Sequence, residues 1–91
     1  MSTVVREVTV VNEQGVHARP SHAIVECASR FQAEVALVHD GRRADARSIL
    51  SVMTLGAVRG ASVRIEASGD QAGEAAAALA ELFDGGFAEQ P

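Results

Sequence analysis

The sequence predicts a single α+β domain in which three helices cover one face of a four-stranded sheet. Two kinds of segment follow one another along the chain. In one, apolar and polar residues alternate, as in strands with one buried face; in the other, apolar residues recur at helical spacing. Their order is strand, helix, strand, strand, helix, strand, helix, which suits one sheet layer under one helix layer. With 91 residues the chain has room for one modest core, so we expect residues 1–91 to form one domain. A ferredoxin-like plait with an added helix has the same element order, and periodicity alone leaves both topologies open.

The first strand and the first helix come from the N-terminal third of the chain. Val8 and Val10 alternate with their neighbours up to a loop at residues 12–15. Pro20 suits the first turn of the following helix, because its φ is already helical and its missing N–H has no helical partner there. The stripe that this helix buries comprises Ala23, Ile24, Cys27, Ala28 and Phe31, and its other faces carry Ser21, Glu26, Ser29 and Arg30.

A hairpin and a short second helix occupy the middle of the chain. The hairpin pairs residues 34–37 with residues 42–45 through a tight turn at Asp40 and Gly41. The second helix is bounded and anchored by four residues: the N-cap Ser48, the terminating Gly56, and the core residues Val52 and Leu55.

The C-terminal third predicts a fourth strand and a third helix. Residues 62–68 alternate between apolar and polar, which is typical of a strand with one buried face. Asp70 is placed to cap the next helix, and the glycine pair at residues 85–86 ends it. We expect residues 88–91 to form a flexible tail. The apolar stripe of the third helix comprises Ala72, Ala75, Ala76, Leu79, Leu82 and Phe83.

Composition and charge exclude several classes of partner. The chain carries 12 acidic residues against 8 basic ones, all of them arginine, for a net charge of −4, so nucleic acid is not expected as a partner. The single cysteine, Cys27, can form neither an intramolecular disulfide nor a cysteine-based zinc site, and it fits a reducing cytoplasm. Charges near the N-terminus argue against a signal peptide, and no apolar run is long enough to cross a membrane. We therefore expect a cytoplasmic protein without a membrane partner.

The most informative segment is GVHARP at residues 15–20, which places His17 and Arg19 where a helix begins. The first-turn N–H groups of a helix have no carbonyl partner, and the helix dipole attracts anions to that end. The same dipole favours the neutral imidazole, which is the nucleophilic form, and the guanidinium of Arg19 matches phosphate oxygens. This geometry predicts a site that accepts and holds a phosphoryl group.

Two motifs identify a family. GVHARP, followed by RSI at residues 47–49 and VMTLG at residues 52–56, resembles the histidine-containing phosphocarrier family, HPr, of the phosphoenolpyruvate-dependent phosphotransferase system. The resemblance runs from Val4 to Phe83 and implies an open-faced β-sandwich, β-α-β-β-α-β-α, with an antiparallel sheet of strand order 1-4-2-3. The C-terminal segment is similar to the nitrogen-type branch, NPr, whereas the segment after Ser48 is similar to the kinase-regulated branch, so the branch stays open.

The resemblance also implies a reaction. His17 accepts a phosphoryl group on Nδ1 from phospho-enzyme I, and ultimately from phosphoenolpyruvate, and passes it to a IIA-type protein. Arg19 stabilises the phosphate, with the backbone amides of Ala18 and Arg19 as further donors. Such a protein is a phosphoryl-transfer intermediate without turnover of its own, needs no cofactor, and is expected to be a monomer. Whether the relay serves sugar transport or regulation stays open.

Ser48 has a structural and a regulatory interpretation. Its hydroxyl is a favoured N-cap, and the segment around it resembles the one that an HPr kinase/phosphorylase modifies in many bacteria. A phosphate there adds about −1.5 to −2 charges at a helix N-terminus, which the dipole tolerates. The expected effect is therefore blocked docking rather than unfolding.

Partner docking is assigned to residues near the second helix and to one histidine. Ile49, Leu50 and Met53 cannot all face the core, so the remainder form an exposed apolar patch. His22 is off the helical spacing at which it would share a metal with His17, so it is assigned to the interface, and no metal site is predicted.

Two rival functions are open at this point. A regulatory interaction protein would be controlled by phosphorylation of Ser48 and would not use His17 as a carrier, although the pairing of His17 with Arg19 argues against it. A small-molecule-binding domain with the plait fold is the other, but the sequence shows no ligand pocket.

Overall fold

A computed structural model describes residues 3–89 and confirms the predicted order of elements. Each strand and helix lies close to the position that periodicity indicates. The strands are β1 (Thr3–Thr9), β2 (Glu34–His39), β3 (Arg42–Asp45) and β4 (Ser62–Ser68), and the helices are α1 (Ala18–Ala28), α2 (Ile49–Met53) and α3 (Ala72–Asp84), followed by a 3-10 turn at Gly86–Ala88.

The sheet has the strand order β1-β4-β2-β3, and every pairing is antiparallel. Strand β4 lies between β1 and β2, with Val8 opposite Val63 on one side and Leu37 opposite Ile65 on the other. Alternate residues of β4 are buried and the rest face solvent, so one face of the sheet is covered and the other is open. This confirms the α+β open-faced sandwich that the motifs imply.

The core lies between the covered face of the sheet and the helices. Ile24 of α1, Val52 of α2 and Leu79 of α3 are fully buried with Leu37 and Ile65 of the sheet. The side chains that α3 buries against β1 and β4 are mostly alanines. Because these side chains are small, the helix packs close to the sheet. The free Cys27 is buried on the apolar side of α1.

Three local predictions are wrong at the ends or faces of helices. Ser21 is buried, because it lies three residues before Ile24 on the inward face of α1. Gln71 is the N-cap of α3 in place of Asp70, and its side chain accepts a hydrogen bond from the Gln32 N–H instead of capping the helix. Helix α2 ends at Met53, before the predicted Gly56.

The C-terminal segment returns to the core directly before the tail that is predicted at residues 88–91. After α3 ends at the glycine pair, Phe87 turns back into the core, where its ring lies edge-to-face on Phe83 with the centroids 4.9 Å apart. Ala88 and Glu89 follow this anchor over the protein surface, and Glu89 has contacts with the start of α1. Residues 90 and 91 lie outside the described residues.

Candidate functional site

The loop before α1 is fixed by a glycine that no other residue can replace without strain. Gly15 has a φ of +69°, and a Cβ placed on it would lie 2.5 Å from the Ala57 carbonyl oxygen. The next residue, Val16, is buried and donates its N–H to the same carbonyl oxygen at 2.9 Å. The loop is therefore pressed against residues 57–58, which sets where α1 begins.

Helix α1 begins with its first-turn amides open. His17 is the N-cap, but its side chain makes no capping hydrogen bond. Its carbonyl accepts the Ser21 N–H at 3.0 Å, and Pro20 has no N–H. Within residues 3–89, the N–H groups of Ala18 and Arg19 have no hydrogen-bond acceptor. Two exposed backbone donors therefore remain at the positive end of the helix, as the sequence predicts for an anion site.

The imidazole of His17 presents its two nitrogens to different surroundings. The side chain is 35% exposed, and Nε2 lies 2.9 Å from Oε2 and 3.2 Å from Oε1 of Glu89. Nδ1 has no hydrogen-bond partner in the described part of the chain. The nitrogen that is predicted to accept a phosphoryl group is therefore the one that is not engaged.

Glu89 is held in place by a second contact. The Asn12 side chain is 3% exposed, and its Nδ2 donates to Glu89 Oε1 at 2.9 Å and to the Gly15 carbonyl at 2.7 Å. Partial burial raises the pKa of the Glu89 carboxyl, but the hydrogen bonds from His17 and Asn12, with the nearby charge of Arg19, outweigh it and the net pKa is lowered. The carboxyl is therefore an anion at neutral pH.

A shallow hollow lies around the imidazole and is open to solvent. Arg19 is exposed on its rim and has no ion-pair partner in the described residues, so its guanidinium is available to a ligand. The carboxylates of Glu13 and Glu89 also line the hollow and partly cancel the positive charge of Arg19. The site is therefore suited to weak rather than tight binding of an anion. The lining comprises Glu13, Gln14, His17, Ala18, Arg19, Ala88 and Glu89.

Sequence reasoning missed Asn12 and Glu89 as members of this site. They are far apart in the chain, and no local periodicity links residue 89 to residue 17. One signal was present, because Phe87 is an isolated large apolar residue after a helix-ending glycine pair, and such a residue can anchor a tail to the core.

Ser48 caps α2, as predicted. Its Oγ accepts the Ser51 N–H at 3.3 Å, and the side chain is partly buried. Ser51 Oγ in turn accepts the Asp45 N–H at 3.1 Å, which ties the start of α2 to the end of β3. The hydroxyl of Ser48 thus has a structural role before any modification.

The side chains assigned to docking are exposed. Leu50 is 75% exposed, Met53 42% and Ile49 37%, while Val52 of the same helix is fully buried. Helix α2 packs against α1, on which His22 is exposed and lies 3.5 Å from Glu26. The structure therefore separates a buried face of α2 from an apolar surface patch, which we define as Ile49, Leu50 and Met53.

Two further features concern residues 3–89 only. No three of their His, Cys, Asp or Glu side chains are grouped so that they could hold a metal ion. None of their helices has both the length and the apolar character needed to cross a membrane.

Comparisons with known proteins point to one family. Residues 4–84 match the family model described as "PTS HPr component phosphorylation site". The chain is 40% identical to phosphocarrier protein NPr of Escherichia coli K12 over 88 residues, covering 96% of this chain and 98% of the relative. It is also 40% identical to phosphocarrier protein HPr of Treponema pallidum over 87 residues, covering 96% and 99%. Since an NPr and an HPr are equally similar, identity does not separate the two branches.

Solved structures of similar proteins have the same fold. HPr-C-His from Thermoanaerobacter tengcongensis superposes with a TM-score of 0.89 at 34% identity, with both chains covered completely. HPr from Bacillus anthracis gives a TM-score of 0.87 at 34% identity, covering 91% of this chain and 99% of that one.

Proposed function

The chain belongs to the HPr family of phosphocarrier proteins of the phosphotransferase system, and we propose that His17 is the residue that carries its phosphoryl group. The observation that carries this assignment is the asymmetry of the ring: Nε2 is engaged by Glu89, while Nδ1 has no partner among the described residues. The two open backbone amides belong to the residues that follow His17 in the chain. His22 and His39, the other histidines, have no such surroundings, since His22 is exposed beside Glu26 and His39 contacts the Ser62 carbonyl.

The chemistry is nucleophilic attack by His17 Nδ1 on phosphorus. The open N–H groups of Ala18 and Arg19 and the Arg19 guanidinium stabilise the phosphate oxygens. Because the site is shallow and also carries the carboxylates of Glu13 and Glu89, the phosphate is held weakly enough to be passed on. The protein is therefore a reactant of two other enzymes and has no turnover or cofactor of its own.

The partners follow from the family. The donor is phospho-enzyme I, charged by phosphoenolpyruvate, and the acceptors are IIA-type proteins. The apolar patch on α2 and the exposed His22 form the surface that docks them, and the protein acts as a monomer in the cytoplasm.

Ser48 is a regulatory site of the same surface. Its hydroxyl caps α2 directly before the apolar patch. Phosphorylation by an HPr kinase/phosphorylase places a dianion beside residues that must contact a partner, whereas the helix dipole accommodates the charge. The modification therefore blocks docking and leaves the fold intact.

Intact-mass measurement after incubation with phosphoenolpyruvate, magnesium ions and an enzyme I tests the carrier role. Wild type is expected to gain one acid-labile phosphoryl group, and His17→Ala to gain none. His39→Ala is the matched control, because it removes a histidine that lies on β2, outside the proposed docking surface, and it is expected to keep the adduct.

The contrary outcome has a defined meaning. No adduct with several enzyme I proteins, together with acid-stable, ATP-dependent labelling of Ser48 by an HPr kinase, would establish the regulatory interaction protein in place of the carrier. In that case Ser48→Ala abolishes target regulation and His17→Ala leaves it unchanged.

A further inference from the structure

We propose that Glu89 is a positioning residue for the phosphoryl acceptor: its carboxylate holds the ring proton of His17 on Nε2 and so leaves the nucleophilic lone pair on Nδ1. The inference rests on the proposed function of His17 and adds to it the residue that selects the reactive nitrogen. It concerns the last described residue of the chain, which lies outside both sequence motifs.

The contact itself selects the tautomer. An ionised carboxylate only accepts hydrogen bonds, so the ring nitrogen that it touches must be the one that carries hydrogen. Both carboxylate oxygens lie within 3.2 Å of Nε2, at 2.9 Å for Oε2 and 3.2 Å for Oε1. In the neutral ring, Nε2–H therefore donates to Glu89, and Nδ1 keeps its lone pair.

The position of the carboxylate is built by several parts of the fold. Asn12 is buried and donates to Glu89 Oε1, so the carboxylate is held by a second donor besides the ring. Phe87 anchors the segment Gly86–Glu89, which we call the C-terminal strap, against Phe83. Glu89 is itself only 14% exposed.

The strap has a conformation that costs free energy. Phe87 and Ala88 have φ of 58° and 61°, in the left-handed region that residues with a side chain rarely adopt. Such a conformation is unfavourable and persists only where the surrounding structure imposes it. The surroundings here are the buried Phe87 ring and the two hydrogen bonds of Glu89, so the strained turn serves to deliver the carboxylate to His17.

The carboxylate also has a role during transfer. Nδ1 forms a bond to phosphorus while the bond from phosphorus to the donor atom breaks, and that electron pair stays on the donor. The ring keeps its Nε2 proton and becomes a positively charged N-phosphoimidazolium, whose charge Glu89 balances. In the onward step the electron pair of the N–P bond returns to Nδ1, and no proton has to enter or leave the ring.

A second histidine–glutamate pair in the same molecule serves as an internal comparison. His22 Nε2 lies 3.5 Å from Glu26, and both side chains are more than two-thirds exposed. Solvent competes for this pair, and no other side chain in residues 3–89 donates a hydrogen bond to the Glu26 carboxylate. Glu26→Gln is therefore a matched control for changes at Glu89.

The first readout is the ring of His17 in the unphosphorylated, 15N-labelled full chain, observed by NMR. Wild type is expected to show Nε2 protonated, Nδ1 unprotonated and an observable Nε2–H proton. Glu89→Ala is expected to lose that proton signal to solvent exchange, whereas Glu89→Gln, whose Oε1 can still accept from the ring, keeps it. Glu26→Gln leaves the His17 spectrum unchanged.

The second readout is the rate of phosphoryl acceptance from phospho-enzyme I. Glu89→Ala is expected to slow it on the order of tenfold or more, because the hydrogen bond that fixes the tautomer and orients the ring is lost together with the balancing charge. The proposal is overturned if either readout of Glu89→Ala stays at the wild-type value, or if wild type carries its ring proton on Nδ1. If the His17→Ala variant still gains an acid-labile phosphoryl group, the carrier role of His17 is overturned instead. The NMR result on the ring proton does not depend on that outcome.

Discussion

The N-termini of helices α1 and α2 differ in how their first backbone N–H groups are satisfied. Helix α1 begins at His17, whose side chain does not cap it, and the N–H groups of Ala18 and Arg19 stay open. Helix α2 begins at Ser48, whose hydroxyl accepts the Ser51 N–H. One end is thus left incomplete, and the other is closed by its own side chain.

The difference shows how one fold separates stability from chemistry. A helix end that caps itself gains about 1 kcal/mol but has fewer donors to offer a ligand. An end without a cap loses that stabilisation and keeps donors for an anion. The closed end then supports an exposed apolar patch, and the open end supports a reactive nitrogen.

The largest expected effect comes from the loop that positions the open end. Gly15→Ala places a methyl group in a left-handed conformation and against the Ala57 carbonyl, so the free energy of unfolding should fall by at least about 2 kcal/mol. Phosphoryl acceptance should fall with it, because His17 is displaced. Denaturant unfolding and intact mass measure the two effects.

Gly73→Ala is the control for this change. Gly73 lies in α3 with open space around its Cβ position, so alanine there should stabilise by about 0.5–1 kcal/mol. Equal unfolding energies for the two variants would mean that the loop at Gly15 is not held against residues 57–58.

The apolar patch at the closed end should affect partner binding without affecting the chemistry. Leu50→Ser removes the most exposed member of the patch and should raise the KM for enzyme I about tenfold with kcat little changed, because docking is lost but His17 is intact. Its free energy of unfolding should change by no more than about 0.5 kcal/mol. Steady-state phosphoryl transfer measures KM and kcat.

Val5→Ser is the matched change on another surface. Val5 is 51% exposed on β1, so its replacement removes a comparable apolar side chain far from α2 in sequence. An increase in KM as large as that of Leu50→Ser would contradict the assignment of docking to α2.

The cap at the closed end should be measurable by itself. Ser48→Ala loses the hydrogen bond to Ser51 N–H and should lower the free energy of unfolding by about 1 kcal/mol, whereas Ser48→Asp keeps a capping oxygen and should stay within about 0.5 kcal/mol of wild type. Denaturant unfolding compares them with Ser29→Ala, whose side chain caps no helix N-terminus. If Ser48→Ala is as stable as Ser29→Ala, the cap has no net stabilising effect.

The smallest effect is a difference between the two ends in their response to acid. The lowered pKa of Glu89 means that its contacts stabilise the fold above the unfolded-state pKa, near 4.5, and that this contribution is lost as the pH falls through the folded-state value. Glu89→Gln should therefore be less stable than wild type at pH 7, with the difference shrinking towards pH 3. Melting temperatures at both pH values measure it.

The control for the acid response is Glu81→Gln, which changes an exposed carboxyl of α3. This variant should differ from wild type equally little at both pH values. A constant gap between Glu89→Gln and wild type from pH 7 to pH 3 would show that ionisation of Glu89 does not contribute to stability.

Much of this protein could be predicted from local sequence. The alternation of residues 62–68, the turn at Asp40 and Gly41, and the cap at Ser48 each depend on chemistry within a few residues, and each is found in the structure. The open amides after His17 are likewise a local property, because Pro20 and the helix start determine them. The strand order came from the family motifs, since periodicity alone left two topologies open.

The sequence by itself therefore determined the order of elements, the buried stripes and the place of His17 at a helix end. Only the tertiary structure decided that Glu89 engages Nε2 and that Asn12 orients Glu89. The physical reason is range: hydrogen-bonding propensity and periodicity act over a few residues, whereas the contact between residues 89 and 17 requires α3 and the Phe87 anchor to pack first.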